Sequence, residues 1–402
     1  MTNVAILGFG VVGGGVAALL TENQKEVSAL GGDEIKIRRI LDLRDFPDSP
    51  FGKLVTHDFN DILSDKEVDT VIEVMGGSHP AYEYTVAALR AGKNVITSNK
   101  EVVANFGDEF LKIAKEMGVS YRFEAAVGGG IPVLSPIISC VKQNKICEVR
   151  GILNGTTNYI LTKMFTYGDS FEDSLKDAQE RGYAERNPDA DILGTDAGRK
   201  IVILTALITG KLISPNDIHI EGITKIRKDD VLAAEKIGAK IKLLGRCIIS
   251  GEKTTVLVAP FMINASSALA SVNGVYNAVE VIGEPIGNVM FYGQGAGAGA
   301  TASAVVGDLM QIMCSATNTA TPVFERAEYS EEAFLSFAAQ NYIALKNVDE
   351  QSAKNIFGNI EIINSDKELA FISSKMTEAE LSSGIEKIYA LGGELLSRIR
   401  LL

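Results

Sequence analysis

The chain has 402 residues, 46% of them hydrophobic and 22% charged, with a formal net charge of −12. That length predicts two or three domains with a sizeable core. The acidic balance speaks against a nucleic-acid-binding surface and against docking on anionic lipid. The four cysteines (Cys140, Cys147, Cys247, Cys314) stand in apolar or mixed stretches without a CxxC pair. They read as reduced thiols, not as a disulfide framework or a zinc site. The chain opens directly on a strand and its longest apolar runs are too short to span a bilayer. A soluble cytoplasmic protein with no membrane partner is the expectation.

The first stretch, "NVAILGFGVVGGGVAALLTEN", predicts a strand over Val4–Leu7, a glycine turn and a helix through Leu20. Gly8, Gly10 and Gly13, with Phe9, Val11 and Val12 between them, form G-x-G-x-x-G between strand and helix. In that context the pattern is a dinucleotide site, with the pyrophosphate on the helix N-terminus. The next strand, "IKIRRILDLRD", ends at Asp42, with Arg44 two residues on. Asp42 is placed to accept from the ribose hydroxyls of NAD, although 42 − 13 = 29 residues is longer than the usual spacing of about 20. Arg44 is placed to pair with the 2′-phosphate of NADP. Use of both cofactors is expected, with NADP favoured.

"VDTVIEVMGG", "KNVITSNK" and "VSYRFEAAVGGG" add buried strands, the first two separated by the helix "HPAYEYTVAALRAG". Strands alternating with helices predict an α/β, Rossmann-type parallel sheet over residues 1–130. From 131 to 330 the pattern changes to helices and antiparallel strands, an α+β domain for substrate and dimerisation. Its last helix, near "TASAVVGDLMQIM", is expected to return to the first domain. Residues 340–402 give strand, helix, strand, strand, helix, strand, a βαββαβ order that is ferredoxin-like.

A nicotinamide cofactor takes the hydride, so the protein must handle the proton. The candidates are His, Lys and Tyr; the three histidines, His57, His79 and His219, stand in neither glycine-rich nor carboxylate-rich stretches, and lysine is the preferred proton carrier. A partly desolvated ammonium exchanges protons nearer neutrality. Lys100 follows the strand "VITSN", at the end of a parallel strand where ligands bind. Lys200 follows Asp196 by four residues, so the two share a helix face. Ahead of them, "GYAERNPDADILGTDAGRK" is too polar for a buried strand and too broken for one helix. Asn154, Gly155 and Thr156 form a polar turn after a strand, a substrate-facing loop.

"GFGVVG", "TSNK", "EAAVGGGIP", "LNGTTNYI", "GYAERNPDADILGTDAGRK" and "GQGAGAGATASAV" occur in the order found in homoserine dehydrogenases, and the resemblance runs from residue 1 to roughly 330. It implies NAD(P)-dependent interconversion of L-homoserine and L-aspartate 4-semialdehyde, in the pathway to threonine, isoleucine and methionine. It implies proton transfer at Lys200, a second active-site lysine at Lys100 and an orienting role for Asp196. Glu185 and Asp191 are implied to hold substrate, by its amino group. Glu124, with the carbonyls of Val127, Gly129 and Ile131, matches the family's monovalent cation site, usually Na+. The acidic loop then reads as a clamp for the substrate's α-ammonium.

Two other readings compete. Aspartate-semialdehyde dehydrogenase chemistry needs an activated cysteine with a histidine partner, and "ISCVKQNKICEV" has no histidine nearby. A dinucleotide-sensing regulator would bind the cofactor without turnover. The resemblance also implies a homodimer or a dimer of dimers. The tail resembles the ACT domains of bacterial homoserine dehydrogenases, but its first turn, "NVDEQSAKNIF", has no glycine between Val348 and Phe357. A structural tail and weak or absent inhibition by threonine are therefore expected.

Overall fold

Val4 to Leu7 form an apolar run that no solvent reaches, the pattern of a strand covered on both faces. In the computed structural model, which describes residues 1–314, 322–365 and 368–402, that run lies inside a six-stranded parallel sheet. Its strands are β1 (Thr2–Leu7), β2 (Ile35–Leu41), β3 (Val55–Thr56), β4 (Thr70–Glu73), β5 (Asn94–Thr97) and β6 (Tyr121–Arg122), in the order β3-β2-β1-β4-β5-β6. Helices α1 (Val11–Glu22), α2 (Ala81–Arg90) and α3 (Lys100–Met117) follow β1, β4 and β5. The strand order reverses between β1 and β4, and ligands of such sheets bind at the carboxyl ends of the strands at that point.

The chain divides into two compact units. The first takes residues 1–145, 202–215 and 291–327, the second 146–201, 216–290 and 328–402. Within the first, the helix Ala298–Cys314 packs on α1, where Val16, Leu20, Val305 and Leu309 share one core. The close approach is possible because Gly15 faces it: a Cβ there would lie 3.2 Å from the Ala298 carbonyl oxygen. Asn99 caps α3, its side chain accepting from the N–H groups of Glu101 and Val102. Its amide donates to the Gly77 carbonyl at 2.7 Å, tying the turn after β4 to the turn after β5.

The second unit is built on a mixed sheet. Its main elements are β7 (Lys145–Ile152), α4 (Gly155–Tyr167), α5 (Thr195–Thr209, beginning in this unit), β8 (Ala239–Ser250), β9 (Lys253–Asn264), β10 (Tyr276–Glu284) and β11 (Gly287–Gln294). β8 and β9 are long apolar strands paired antiparallel over their whole length. On its other side β9 meets His219–Ile220 through Leu257 and Val258, and the last strand of the chain through Phe261 and Met262. Pro260, which has no N–H to offer a ladder, falls in the gap between those two partners.

The C-terminal elements are β12 (Asn341–Lys346), α6 (Glu350–Phe357), β13 (Ile360–Asn364), β14 (Leu369–Ser373), α7 (Glu378–Ala390) and β15 (Glu394–Leu401). Their strands lie in the order β15-β12-β14-β13, all antiparallel. Because β15 pairs parallel with β9, the tail extends the same sheet, whose path reads β11-β10-β7-β8-β9-β15-β12-β14-β13. Ile343, Leu345, Phe357, Phe371, Leu381 and Ile388 close its small core. No helix among the described residues is long and apolar enough to cross a membrane.

Candidate active site

The glycine turn after β1 has three positions with three different demands. Gly8 adopts φ 94°, which favours glycine. A Cβ on Gly13 would run into the carbonyl oxygen of Gly8, so only glycine lets α1 start against the turn. Gly10 instead faces open space, with nothing within 4 Å of a Cβ built there. The first turn of α1 carries no acidic residue. Its N–H groups and dipole therefore offer an anion an unopposed partial positive charge, and the turn fits a pyrophosphate. Val11 is exposed beside it, and Val12 packs on the core.

Asp42 ends β2 and fixes this turn. Its Oδ2 accepts from the Phe9 N–H at 2.8 Å, and its Oδ1 accepts from both the backbone N and Nε of Arg44 at 3.0 Å. The Arg44 hydrogen bond holds the Asp42 carboxyl down at about 2, against the effect of burial. The Arg44 guanidinium stays exposed, 5.1 Å from the ring centroid of Phe46. Asp42 is thus a tie between the glycine turn and a cation, which an acceptor for a ribose alone would not be.

Lys100 is the first residue of α3, half-buried at the end of β5. At the ends of β4 and β5 stands a buried carboxylate that sequence reasoning missed. Glu73 accepts from the Thr97 hydroxyl at 2.6 Å and from the Met75 N–H at 2.8 Å, and burial raises its pKa. The signal was present, since Glu73 is a lone charge within the apolar run "TVIEVM".

In the second unit one cluster gathers residues from three segments. Asp196 and Lys200 lie in the opening turns of α5, both buried, with Lys200 Nζ 2.7 Å from Asp196 Oδ2. Lys200 Nζ also donates to the Leu153 carbonyl at 2.7 Å. Asn154 is the N-cap of α4, its Oδ1 accepting from the Thr157 N–H at 2.9 Å. Its other face donates twice, from Nδ2 to Asp191 Oδ1 at 2.6 Å and to Asp196 Oδ2 at 2.9 Å. One amide therefore holds two carboxylates together. Burial and the neighbouring charge of Asp196 both raise the pKa of Asp191.

Around the cluster, Gly155 is the first residue of α4, and the Thr156 hydroxyl donates to the Tyr183 carbonyl at 2.7 Å. Glu185 is exposed, and its backbone carbonyl accepts from Gln179. Its side chain is not among the groups the structure draws into the cluster. With Lys200 charged, the two carboxylates leave a surplus negative charge that suits a cationic group on a ligand.

Glu124 is also buried, in the first unit. Its Oε1 accepts from the N–H groups of Val133 and Leu134 at 2.6 and 2.8 Å, and its Oε2 from Ser135 N–H at 2.7 Å. Its own N–H donates to Asp308 Oδ2 at 2.8 Å, where burial pushes the Asp308 carboxyl up to about 7. Val127, Gly129 and Ile131 follow in a turn with Gly128 and Gly129 at φ 80° and 57°. Among the described residues no group of three or more His, Cys, Asp and Glu side chains could hold a metal ion. Both Glu124 carboxylate oxygens are engaged by backbone N–H groups, and the turn adds backbone carbonyls, hard oxygens of the type a monovalent cation takes.

The histidine rings bond acidic side chains: His57 to Asp45, His79 to Glu83 and His219 to Glu221. Cys140 Sγ lies 3.3 Å from Ser139 Oγ. The thiol–imidazole pair that acyl-enzyme chemistry requires is not assembled at Cys140.

Comparison with known proteins points to one family. The homoserine dehydrogenase NAD-binding domain profile matches residues 8–124, and the homoserine dehydrogenase profile matches residues 132–310. The chain is 41% identical to a homoserine dehydrogenase of Neisseria gonorrhoeae, over 77% of this chain and 72% of that protein. The crystal structure of a homoserine dehydrogenase from Thiobacillus denitrificans superposes with a TM-score of 0.92 at 33% identity, covering 100% of this chain and 98% of the other. A hyperthermophilic archaeal homoserine dehydrogenase mutant, solved in complex with NADPH, matches with a TM-score of 0.68 at 26% identity, over 79% of this chain and 99% of the other. The chain belongs to the homoserine dehydrogenase family.

Proposed function

We propose that this chain interconverts L-homoserine and L-aspartate 4-semialdehyde on the cluster of Lys200, Asp196, Asn154 and Asp191. The observation that carries the reading is that one buried lysine and two carboxylates are joined through a single amide. A nicotinamide supplies the hydride acceptor or donor, and the chain supplies the rest. In oxidation, neutral Lys200 takes the hydroxyl proton at Nζ as the carbonyl forms. In reduction, its ammonium returns that proton to the oxygen. Asp196 orients Nζ, Asp191 accepts from the α-ammonium, and Glu185, Gly155 and Thr156 border the substrate. Lys100 serves as the second lysine of the active site. The activity places the chain in threonine, methionine and isoleucine biosynthesis. A nicotinamide absorbance assay tests the reading directly. Homoserine-dependent reduction of the cofactor supports it, and cofactor binding without turnover refutes it.

NADP is the favoured cofactor, with NAD also used. The exposed Arg44 guanidinium, held in place by Asp42, is positioned to meet a 2′-phosphate, and the archaeal relative binds NADPH. Arg44→Ala should shift the NADP-to-NAD ratio of kcat/KM towards NAD by about tenfold, the scale of one charge-assisted hydrogen bond. An unchanged ratio removes Arg44 from the role. Na+ held by Glu124 and the carbonyls of Val127, Gly129 and Ile131 should raise Tm relative to tetramethylammonium chloride at equal ionic strength. An equal Tm in the two salts argues against the site.

The tail, with strand order β15-β12-β14-β13, is a ferredoxin-like, ACT-like module. Its first turn reaches a left-handed conformation at Asn347, φ 60°, without a glycine. A cavity of about 330 Å³ opens there, lined among the described residues by Asp349, Glu350 and Glu368 with others, and Lys354 and Arg227 pair with Glu350 and Glu368. Without a glycine in that turn a side chain crowds an effector's approach to the backbone amides, so threonine should inhibit weakly or not at all. Strong inhibition that disappears on deleting residues 340–402 would overturn this. A homodimer completes the picture, and sedimentation at working concentration should exceed the 43.0 kDa of one chain.

A further inference from the structure

The last strand carries two arginines that proton transfer does not use. Arg400 is fully buried, and the Arg398 side chain is 14% exposed. Arg400 donates from Nε to Glu378 Oε1 at 2.7 Å, and its Nη2 lies 2.9 Å from Glu221 Oε1. Arg398 donates from Nη1 to Glu378 Oε2 at 2.9 Å and from Nη2 to Glu221 Oε1 at 2.6 Å. His219 Nε2 reaches the same Glu221 oxygen at 2.6 Å. Against the effect of burial, the His219 hydrogen bond and the two guanidiniums hold Glu221 well below the usual carboxylate range.

Glu221 belongs to a short segment that touches the acidic loop. His219 and Ile220 pair with β9, and the Glu221 N–H donates to the Val258 carbonyl at 2.7 Å. Two residues on, the Ile223 N–H donates to the Ile192 carbonyl at 2.9 Å. Gly222 lies so close to Leu193 that a Cβ would come within 2.6 Å of its Cα. The Ile220 side chain fills the space over two more glycines, where a Cβ on Gly194 or Gly198 would meet it at 3.1 or 2.8 Å. Ile192 adjoins Asp191, and Gly194 and Gly198 bracket Asp196.

We propose that Arg398 and Arg400 are positioning residues for the substrate clamp. Through Glu221 they fix the backbone of residues 219–223, and through that backbone the loop and opening helical turns bearing Asp191, Asp196 and Lys200. Buried ion pairs add little net stability compared with apolar packing. What a guanidinium fork adds is direction, because its donors are planar and fixed. The tail is thereby coupled to the clamp, and a displacement of β15 or α7 reaches substrate affinity before it reaches the cofactor turn. The proposal rests on the reading of Asp191 as acceptor for the substrate's ammonium.

The test compares Arg398→Lys, which keeps the charge and loses the fork, with Glu221→Gln, which keeps the shape and loses the charge. Asp191→Asn is measured in parallel, with KM for homoserine and for NADP determined in each. The expected result is a rise of about tenfold in KM for homoserine in both variants, with KM for NADP unchanged. Combining Arg398→Lys with Asp191→Asn should add little to Asp191→Asn alone, because the clamp is already lost. Unchanged KM for homoserine in both variants, with Asp191→Asn still raising it, overturns the coupling and leaves the clamp standing. A silent Asp191→Asn shows that the clamp itself is wrong, and the coupling falls with it. Equal losses for homoserine and NADP mark general loosening and also refute positioning. Should Glu221→Gln fail to fold, Arg398→Lys decides the matter.

Discussion

Lys200→Ala should lower kcat for homoserine oxidation by at least about 10²-fold, the loss typical of a missing general acid–base, while NADP affinity stays near normal. The reason is geometric. Lys200 Nζ is held at 2.7 Å from both Asp196 Oδ2 and the Leu153 carbonyl, so its position is set before substrate arrives. Removing one partner of a buried ion pair also destabilises, by about 3–5 kcal/mol. A folding defect could imitate a catalytic one, and Lys200→Arg separates the two. Arginine keeps the charge beside Asp196 but does not give up its proton near neutrality. That variant should fold, retain its cofactor affinity and still turn over slowly. Turnover near the parent's in a folded Lys200→Arg would show that Nζ carries no proton.

Asn154→Asp should cut kcat/KM for homoserine by roughly 100-fold, about 3 kcal/mol, the scale of hydrogen bonds to charged groups. The change is nearly isosteric. Aspartate remains a good N-cap for α4 through the Thr157 N–H, but the donor that joins Asp191 to Asp196 is gone. Three carboxylate groups then face one another, and at least one must protonate or turn away. Asn154→Ala also loses the cap, worth about 1 kcal/mol. Its Tm should fall below that of Asn154→Asp, even though its two remaining carboxylates repel each other less. A parent-like kcat/KM in a folded Asn154→Asp would show that the amide bridge is incidental.

What the sequence made legible was local. The glycine turn could be read because its three demands fall within six residues, between an apolar strand and a helix. Lys200 and Asp196 could be paired because four residues on a helix bring side chains together. Asp191 was legible as a candidate through family resemblance and Asn154 through its place in a polar turn after a strand, but their joint geometry was not. The Asn154 amide bridges partners 37 and 42 residues away, and Leu153 meets Lys200 across 47. No periodicity reports such contacts. The same limit hid the tail's attachment. Its six elements could each be read from alternating and helical patterns, yet the parallel pairing of β15 with β9 joins residues far apart in the chain. Glu124 is a third case: its three amide donors lie only 9 to 11 residues on, but backbone N–H groups carry no sequence signature. Asp42 was seen as a ribose acceptor because strand-end acids usually are. Its bond to the Phe9 N–H shows a second, structural task.

The central claim is that the carboxylates Asp191 and Asp196 of the second unit recognise the substrate's α-ammonium beside the lysine that serves its hydroxyl. The most direct measurement is kcat/KM for the parent and for Asp191→Asn, each with L-homoserine and with 4-hydroxybutanoate, the same molecule without the amino group. With homoserine the substitution should cost roughly 10- to 100-fold, the range for a hydrogen bond between charged groups. With 4-hydroxybutanoate, poor for both enzymes, the substitution should cost nothing further. An equal loss on both substrates would contradict the account, since Asp191 would then be acting on something other than the ammonium.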